Sequence, residues 1–324
     1  MNESLKLSAR NSIYIETRYV ETLEKVTEFF KSSPHLEWKL VKNPIDCDVA
    51  IYFDLTDSDS MNIVNKSAAT KILVRQEPKL VIPKNYESNV IKRFDHVIDI
   101  GKSKEDLFLN INWPQDLSHI YETGNKRKNK FVLVNSNLLS LTRDQNYSLR
   151  REIAAKMCTV DLFGFKWNNS SFEKFLTLVK ELKRYLPSIY RIKLSGLKYY
   201  FKTFDNYLGS VVNKREAMSV YKFSIVIENS SDYVSEKLFD SLLSGCIPIY
   251  VGPDLSLYDL PENLYIQAEP NFVDIKSKMA HAQELNYEEW AENLNVWLKQ
   301  VNTKKSWSQE FFFQKILTAI KTIY

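Results

Sequence analysis

At 324 residues the chain is long enough for two domains, and 44% apolar with 26% charged residues excludes disorder, collagen-like repeats and disulfide scaffolds. Lys plus Arg outnumber Asp plus Glu by 44 to 40; a net charge of +4 is too small to argue for nucleic acid but suits phosphates. The three cysteines (Cys47, Cys158, Cys246) form no CxxC, so a zinc ribbon is unsupported and a reducing compartment is expected.

The first residues, MNESLKLSARNSIYIETRYVE, turn polar at once and have no signal-peptide core. No segment reaches the roughly 18 uninterrupted apolar residues of a membrane span. The expectation is a cytoplasmic protein, or one whose anchor has been removed.

Short apolar runs then alternate with amphipathic stretches. Strands are expected at 12–16, 36–41, 48–53, 70–75 and 96–100, and Leu23, Val26 and Phe30 fall at helical spacing. Tyr121–Lys130 (YETGNKRKNK) is the best linker candidate. Beyond it, strands are expected at 131–135, 160–163, 223–228 and 247–251, with helices at 148–157 and 234–244. The chain closes on a Trp-rich helical stretch from about Tyr287. The expected class is α/β: two doubly wound, Rossmann-like domains facing a crevice, divided as 1–125 and 126–290, with a helical segment 291–324 returning to the first domain.

Several features carry little chemistry. Asp57-Ser58-Asp59 is a DxD, but LTDSDSMN reads as a solvated loop. His35, His96, His119 and His281 share no ligand spacing, and neither GxGxxG nor GxxxxGK[ST] occurs. Phe172–Lys202 holds eight Lys/Arg against two acidic residues, interleaved with aromatics. It is either an amphipathic helix with core aromatics and solvated lysines, or a peripheral membrane or anionic-acceptor patch.

The informative segment is 221–254, YKFSIVIENSSDYVSEKLFDSLLSGCIPIYVGPD. A buried strand ends in the polar turn Asn229–Tyr233. A helix opens with Ser235, Glu236 and Lys237, buries Leu238, Leu242 and Leu243, and stops at Gly245, a residue suited to a left-handed cap. Free N–H groups and a positive dipole end are expected beyond a strand's carboxyl end, which suits a diphosphate. Lys237 adds a cation. Glu236 opposes the charge of an anion, and makes sense if it accepts from sugar hydroxyls or faces a cationic transition state.

This segment resembles the signature of the family 10 glycosyltransferases, the α-1,3/4-fucosyltransferases. It departs at Ile227, where Phe is usual, and at Ser235, where Thr is commoner. FVLVNSN (131–137), SLRREIAAKM (148–157) and VDLFG (160–164) resemble a second family block. That likeness places a donor-phosphate arginine on Arg150, with Arg151 adjacent, and Asn135 beside the donor. ILVRQEP (72–78) resembles the segment of the catalytic carboxylate, which falls on Glu77. Carboxylates elsewhere in the first domain, such as Glu16 or Asp54, are the other candidates for a base.

The resemblance implies a GT-B fold, a GDP-sugar donor (typically GDP-L-fucose) bound by the second domain, an acceptor bound by the first, and inversion without an obligatory metal. Glu77 and Glu236 are then catalytic. Arg150, Asn229, Tyr233, Glu236, Lys237 and Asn135 bind the donor, with Lys222 and Lys214 as weaker phosphate candidates. The expected acceptor is an oligosaccharide or lipid-linked glycan, and the Lys-, Asn- and Ile-rich composition suggests a bacterial O-antigen, capsule or Lewis-type glycan. A catalytically inert nucleotide-sugar binder and a transferase of another GDP-deoxysugar are the alternatives.

Overall fold

The computed structural model describes residues 12–17, 20–32, 39–55, 62–65, 69–100, 108–117, 126–185, 194–258, 260–300 and 306–321. The chain forms two units, Met1–Ile111 with Gln309–Tyr324, and Asn112–Ser308. The division thus falls at 111/112 instead of 125/126, and the closing helical stretch is shared between the units. Of the linker candidate, 121–125 lie outside the described residues, and by Lys128 the chain is already in a strand.

In the first unit six parallel strands are ordered β2-β1-β3-β4-β5-β6. They are β1 (Ser12–Thr17), β2 (Lys39–Leu40), β3 (Val49–Phe53), β4 (Thr70–Arg75), β5 (His96–Asp99) and β6 (Phe108–Asn110). All five residues of β3 (VAIYF) are buried, as a strand covered on both faces of a parallel sheet requires. The helix Val20–Ser32 buries Val26 and Phe30 and leaves Leu23 partly exposed. The closing helix Gln309–Lys321 packs on the same unit, with Phe313 against Phe29 at 4.9 Å and Phe312 against Phe53 at 6.4 Å between ring centroids.

The second unit is again six parallel strands, ordered β12-β11-β10-β7-β8-β9. They are β7 (Lys128–Val134), β8 (Asp161–Phe163), β9 (Tyr207–Gly209), β10 (Tyr221–Ile227), β11 (Ile247–Val251) and β12 (Ile266–Gln267). Counted within the unit this is the 3-2-1-4-5-6 order of dinucleotide-binding sheets, with its switch point between β7 and β10. Ligands in such sheets bind beyond the carboxyl ends of the strands at that point. Trp290, Trp297 and Trp307 all lie in this unit's core, the first two on the helix Tyr287–Lys299.

The stretch 172–202 departs from the core-aromatic reading. On the helix Ser171–Tyr185, Phe172, Phe175 and Leu176 are exposed, while Lys174 is buried and donates to the Lys202 carbonyl at 3.3 Å. A carbonyl partner lets the lysine end turn inward, so the aromatic stripe is left outside. Only Tyr200 among the described aromatics of this stretch is fully buried.

Candidate functional site

The carboxyl end of β10 continues into Glu228, whose carboxylate is fully buried. It accepts from the Ser235 N–H at 2.9 Å and the Ser235 hydroxyl at 2.7 Å, and the Lys237 ammonium lies 3.4 Å away. Ser235 caps the helix Glu236–Leu243, accepting from the Lys237 N–H at 3.3 Å. Leu238, Leu242 and Leu243 are buried, and Gly245 leaves the helix at φ +73°, where a side chain is strained. The N–H groups at this helix start are not all free, contrary to the expectation. The N–H groups of Ser235 and Lys237 are taken by Glu228 and by the Ser235 hydroxyl, so the attraction for anions rests more on side-chain cations and the dipole.

Arg150 reaches this turn from the helix Tyr147–Lys156. Its Nη2 donates to the Ile227 carbonyl at 2.6 Å and to Asn229 Oδ1 at 2.8 Å. Asn229 in turn donates from Nδ2 to the Tyr233 hydroxyl at 3.1 Å. Burial pushes the Arg150 guanidinium below its ordinary pKa, yet an arginine stays charged, and its Nε has no hydrogen-bond partner in the protein. Arg151 points elsewhere: Nη1 donates to the Leu138 carbonyl at 2.7 Å, and the guanidinium lies over the Tyr200 ring. The two adjacent arginines therefore separate into one at the turn and one bracing the 137–138 loop.

An open pocket with about 620 Å³ of empty space lies at the switch point, lined by Asn135, Arg150, Phe165, Lys214, Asn229, Glu236 and Lys237 among others. Six of the expected donor residues thus share one pocket. Lys214 bonds Glu236 at 3.2 Å, and Lys237 Nζ is 3.8 Å from the same carboxylate. Burial raises the Glu236 pKa, but Lys237 and Lys214 more than offset it and hold the carboxyl at about 2. Two expected residues are not in the lining. Tyr233 is buried behind Asn229, its ring 6.2 Å from Trp113, and orients the amide. Lys222 is a correction: it sits near the amino end of β10, roughly 16 Å of strand from Ile227, with its ammonium over the Tyr287 ring.

Glu77 belongs to the first unit, two residues beyond β4. Its carbonyl accepts from the Tyr86 hydroxyl at 3.0 Å. Asp54, fully buried at φ +57°, accepts through Oδ1 from the N–H groups of Gln76 at 3.0 Å and Glu77 at 3.4 Å, and from Asn85 Nδ2 at 2.7 Å. Asp54 is therefore a clamp on the Glu77 backbone and not a substitute base. Arg75, beside Glu77 in sequence, is paired with Asp99 at 2.6 Å. Asp57 and Asp59 lie outside the described residues. No group of three His, Cys, Asp or Glu that could hold a metal occurs among the described residues, nor a helix long and apolar enough to cross a membrane.

Sequence reasoning passed over Glu228, which reads as the last residue of a strand, although a charge closing the run FSIVI was a signal. It also passed over Phe165, which lines the pocket just past β8.

The family described as "Glycosyltransferase family 10 (fucosyltransferase) C-term" matches residues 196–322. The alpha-(1,3)-fucosyltransferase FucT of Helicobacter pylori is 32% identical over 124 residues, 36% of this chain and 26% of that protein, so the match spans about a quarter of the relative. A solved alpha1,3-fucosyltransferase superposes at a TM-score of 0.58 and 16% identity, covering 100% of this chain and 93% of the other. The Anabaena protein Alr3699/HepE, solved with UDP and glucose, superposes at 0.57 and 9% identity over 97% of this chain and 100% of its own. These likenesses show the GT-B fold of glycosyltransferases. Residues 196–322, which contain the signature turn, Glu236 and Lys237, are thus similar to the C-terminal part of glycosyltransferase family 10, the fucosyltransferases.

Proposed function

We propose that this chain is an inverting fucosyltransferase that moves L-fucose from GDP-fucose to a hydroxyl of an oligosaccharide or lipid-linked glycan. The observation that carries the reading is the gathering of Arg150, Lys214 and Lys237 with Glu236 in one pocket at the switch point of the second unit. Two solved proteins of nearly equal likeness, one of them bound to UDP, mean that the fold alone does not choose the nucleotide; the family signature favours GDP. The cations neutralise a departing diphosphate, the role a divalent metal fills in other transferases. Glu236, ionised beside them, supplies negative character to a cationic sugar. Glu77 takes the acceptor proton.

Lys237→Ala is expected to weaken GDP binding by about ten- to a hundredfold in calorimetry, since a charged hydrogen bond to phosphate contributes roughly 1.5–3 kcal/mol. Wild-type affinity in that variant would remove the diphosphate assignment. Fucose transfer should persist in excess EDTA. If turnover stops, and Asp57→Ala with Asp59→Ala stops it too, the DxD holds a metal after all.

A further inference from the structure

Phe165 is an exposed aromatic on a firmly held loop beside a charged pocket. Its side chain is 57% exposed, while its backbone is fixed from several sides. The Asn137 N–H donates to the Phe165 carbonyl at 2.9 Å, the Gly164 N–H donates to the Gly209 carbonyl at 3.0 Å, and the Tyr207 hydroxyl donates to the Gly164 carbonyl at 2.9 Å. Buried Trp167 donates from its indole to the Asn135 carbonyl at 2.6 Å.

The residues on either side adopt backbone conformations that side chains disfavour. Gly164 has φ +133°, and a Cβ there would lie 2.0 Å from the Asn135 carbonyl oxygen. Lys166 has φ +67°. Glycine adopts a positive φ freely, but at a lysine that conformation persists only where the surroundings impose it, and such residues cluster at ligand sites. Here they hold one large apolar ring at the mouth of the pocket that also contains Arg150, Asn229 and Lys237.

We propose that Phe165 is the platform on which the planar base of the nucleoside diphosphate stacks. This rests on the diphosphate reading of the same pocket. The cations gather beyond the carboxyl end of β10, in a pocket that Asn135 lines just past β7, whereas Phe165 follows β8, the next strand outward. From β10 to β8 is two strand spacings, about 10 Å, a distance that a ribose and its first phosphate can bridge. A nucleotide lying across the carboxyl ends therefore meets cations at one end and an aromatic face at the other. Every base has a π-face, so Phe165 supplies affinity and leaves the choice of base to other contacts.

The test compares GDP with inorganic pyrophosphate by calorimetry on the wild type, Phe165→Ala and Phe165→Trp. In Phe165→Ala, GDP affinity should fall about ten- to a hundredfold, the usual effect of deleting a stacking partner. Pyrophosphate affinity and melting temperature should not change. Phe165→Trp should restore GDP binding, with indole fluorescence quenched as GDP is added. Wild-type GDP affinity in Phe165→Ala overturns the platform. So does an equal loss for pyrophosphate, which would mean a distorted pocket, or a raised acceptor KM with GDP affinity intact, which would place a sugar on the ring. Failure of the wild type to bind pyrophosphate sinks the diphosphate reading instead, and the GDP arm still decides on Phe165.

Discussion

Glu77→Gln is expected to lower kcat for transfer by about 10²–10⁴ while GDP affinity stays within about twofold, the mark of a lost proton acceptor. The substitution is nearly isosteric and leaves the backbone untouched. The Glu77 N–H still faces Asp54 Oδ1, and the Glu77 carbonyl still accepts from Tyr86, so the melting temperature should stay at the wild-type value. Hydrolysis of the donor by water needs the same acceptor for its proton, and should fall in parallel. Asp54→Asn separates position from chemistry. It weakens the clamp on the Glu77 and Gln76 N–H groups and leaves the Glu77 carboxylate in place, so it should cost less in kcat than Glu77→Gln. If Glu77→Gln transfers fucose at the wild-type rate, the base is another carboxylate.

The pH profile divides the two glutamates. Glu236 is held at about 2 by Lys237 and Lys214 against the upward push of burial, so it stays ionised throughout any working range. A carboxyl depressed in the folded state stabilises the protein above its unfolded value near 4.5, and that stability is lost as pH falls from there toward 2. Glu236 therefore cannot produce an acidic limb in kcat/KM at milder pH. That limb should flatten in Glu77→Gln and survive, on a lower rate, in Glu236→Gln. The reverse pattern would exchange their roles.

The unit from β10 through the helix Glu236–Leu243 to β11 was legible because each local signal agreed with the next. The apolar run, the Ser235 cap, the Leu spacing and Gly245 all point one way, and the signature fell on the same residues. Local pattern cannot say what another strand or helix brings up behind a residue. Glu228 reads as a strand end, yet tertiary packing closes over it; Asp54 reads as a candidate base, yet three donors converge on it. The stripe at 172–176 shows an amphipathic helix, but periodicity does not decide which face is covered, and Lys174 turned inward while Phe172 and Phe175 stayed out. Lys222 lay near the signature in sequence but at the wrong end of an extended strand. The helix Phe272–Glu284 buries only Ile275 and Ala282, too sparse a pattern to announce itself.

The largest stability effect should come from Glu228. Its carboxylate holds the buried Ser235 N–H and hydroxyl and the Lys237 ammonium, whose side chain is only 16% exposed. Glu228→Ala strands a largely buried cation and a buried N–H together, a loss of about 3–5 kcal/mol where one partner of a buried pair is removed. For a unit of this size that lowers the melting temperature by on the order of 10 °C. Glu228→Gln keeps an acceptor for the N–H but not the countercharge, and should fall between. The decisive comparison is the double variant Glu228→Ala/Lys237→Ala. If the carboxylate serves mainly to seat Lys237, removing the ammonium as well relieves the stranded charge. The double variant is then more stable than the sum of the two single losses allows, with a coupling of about 1–3 kcal/mol. Simple additivity in thermal or denaturant unfolding would mean that Glu228 acts through the Ser235 cap alone, and that the pocket sets the position of Lys237 by other means.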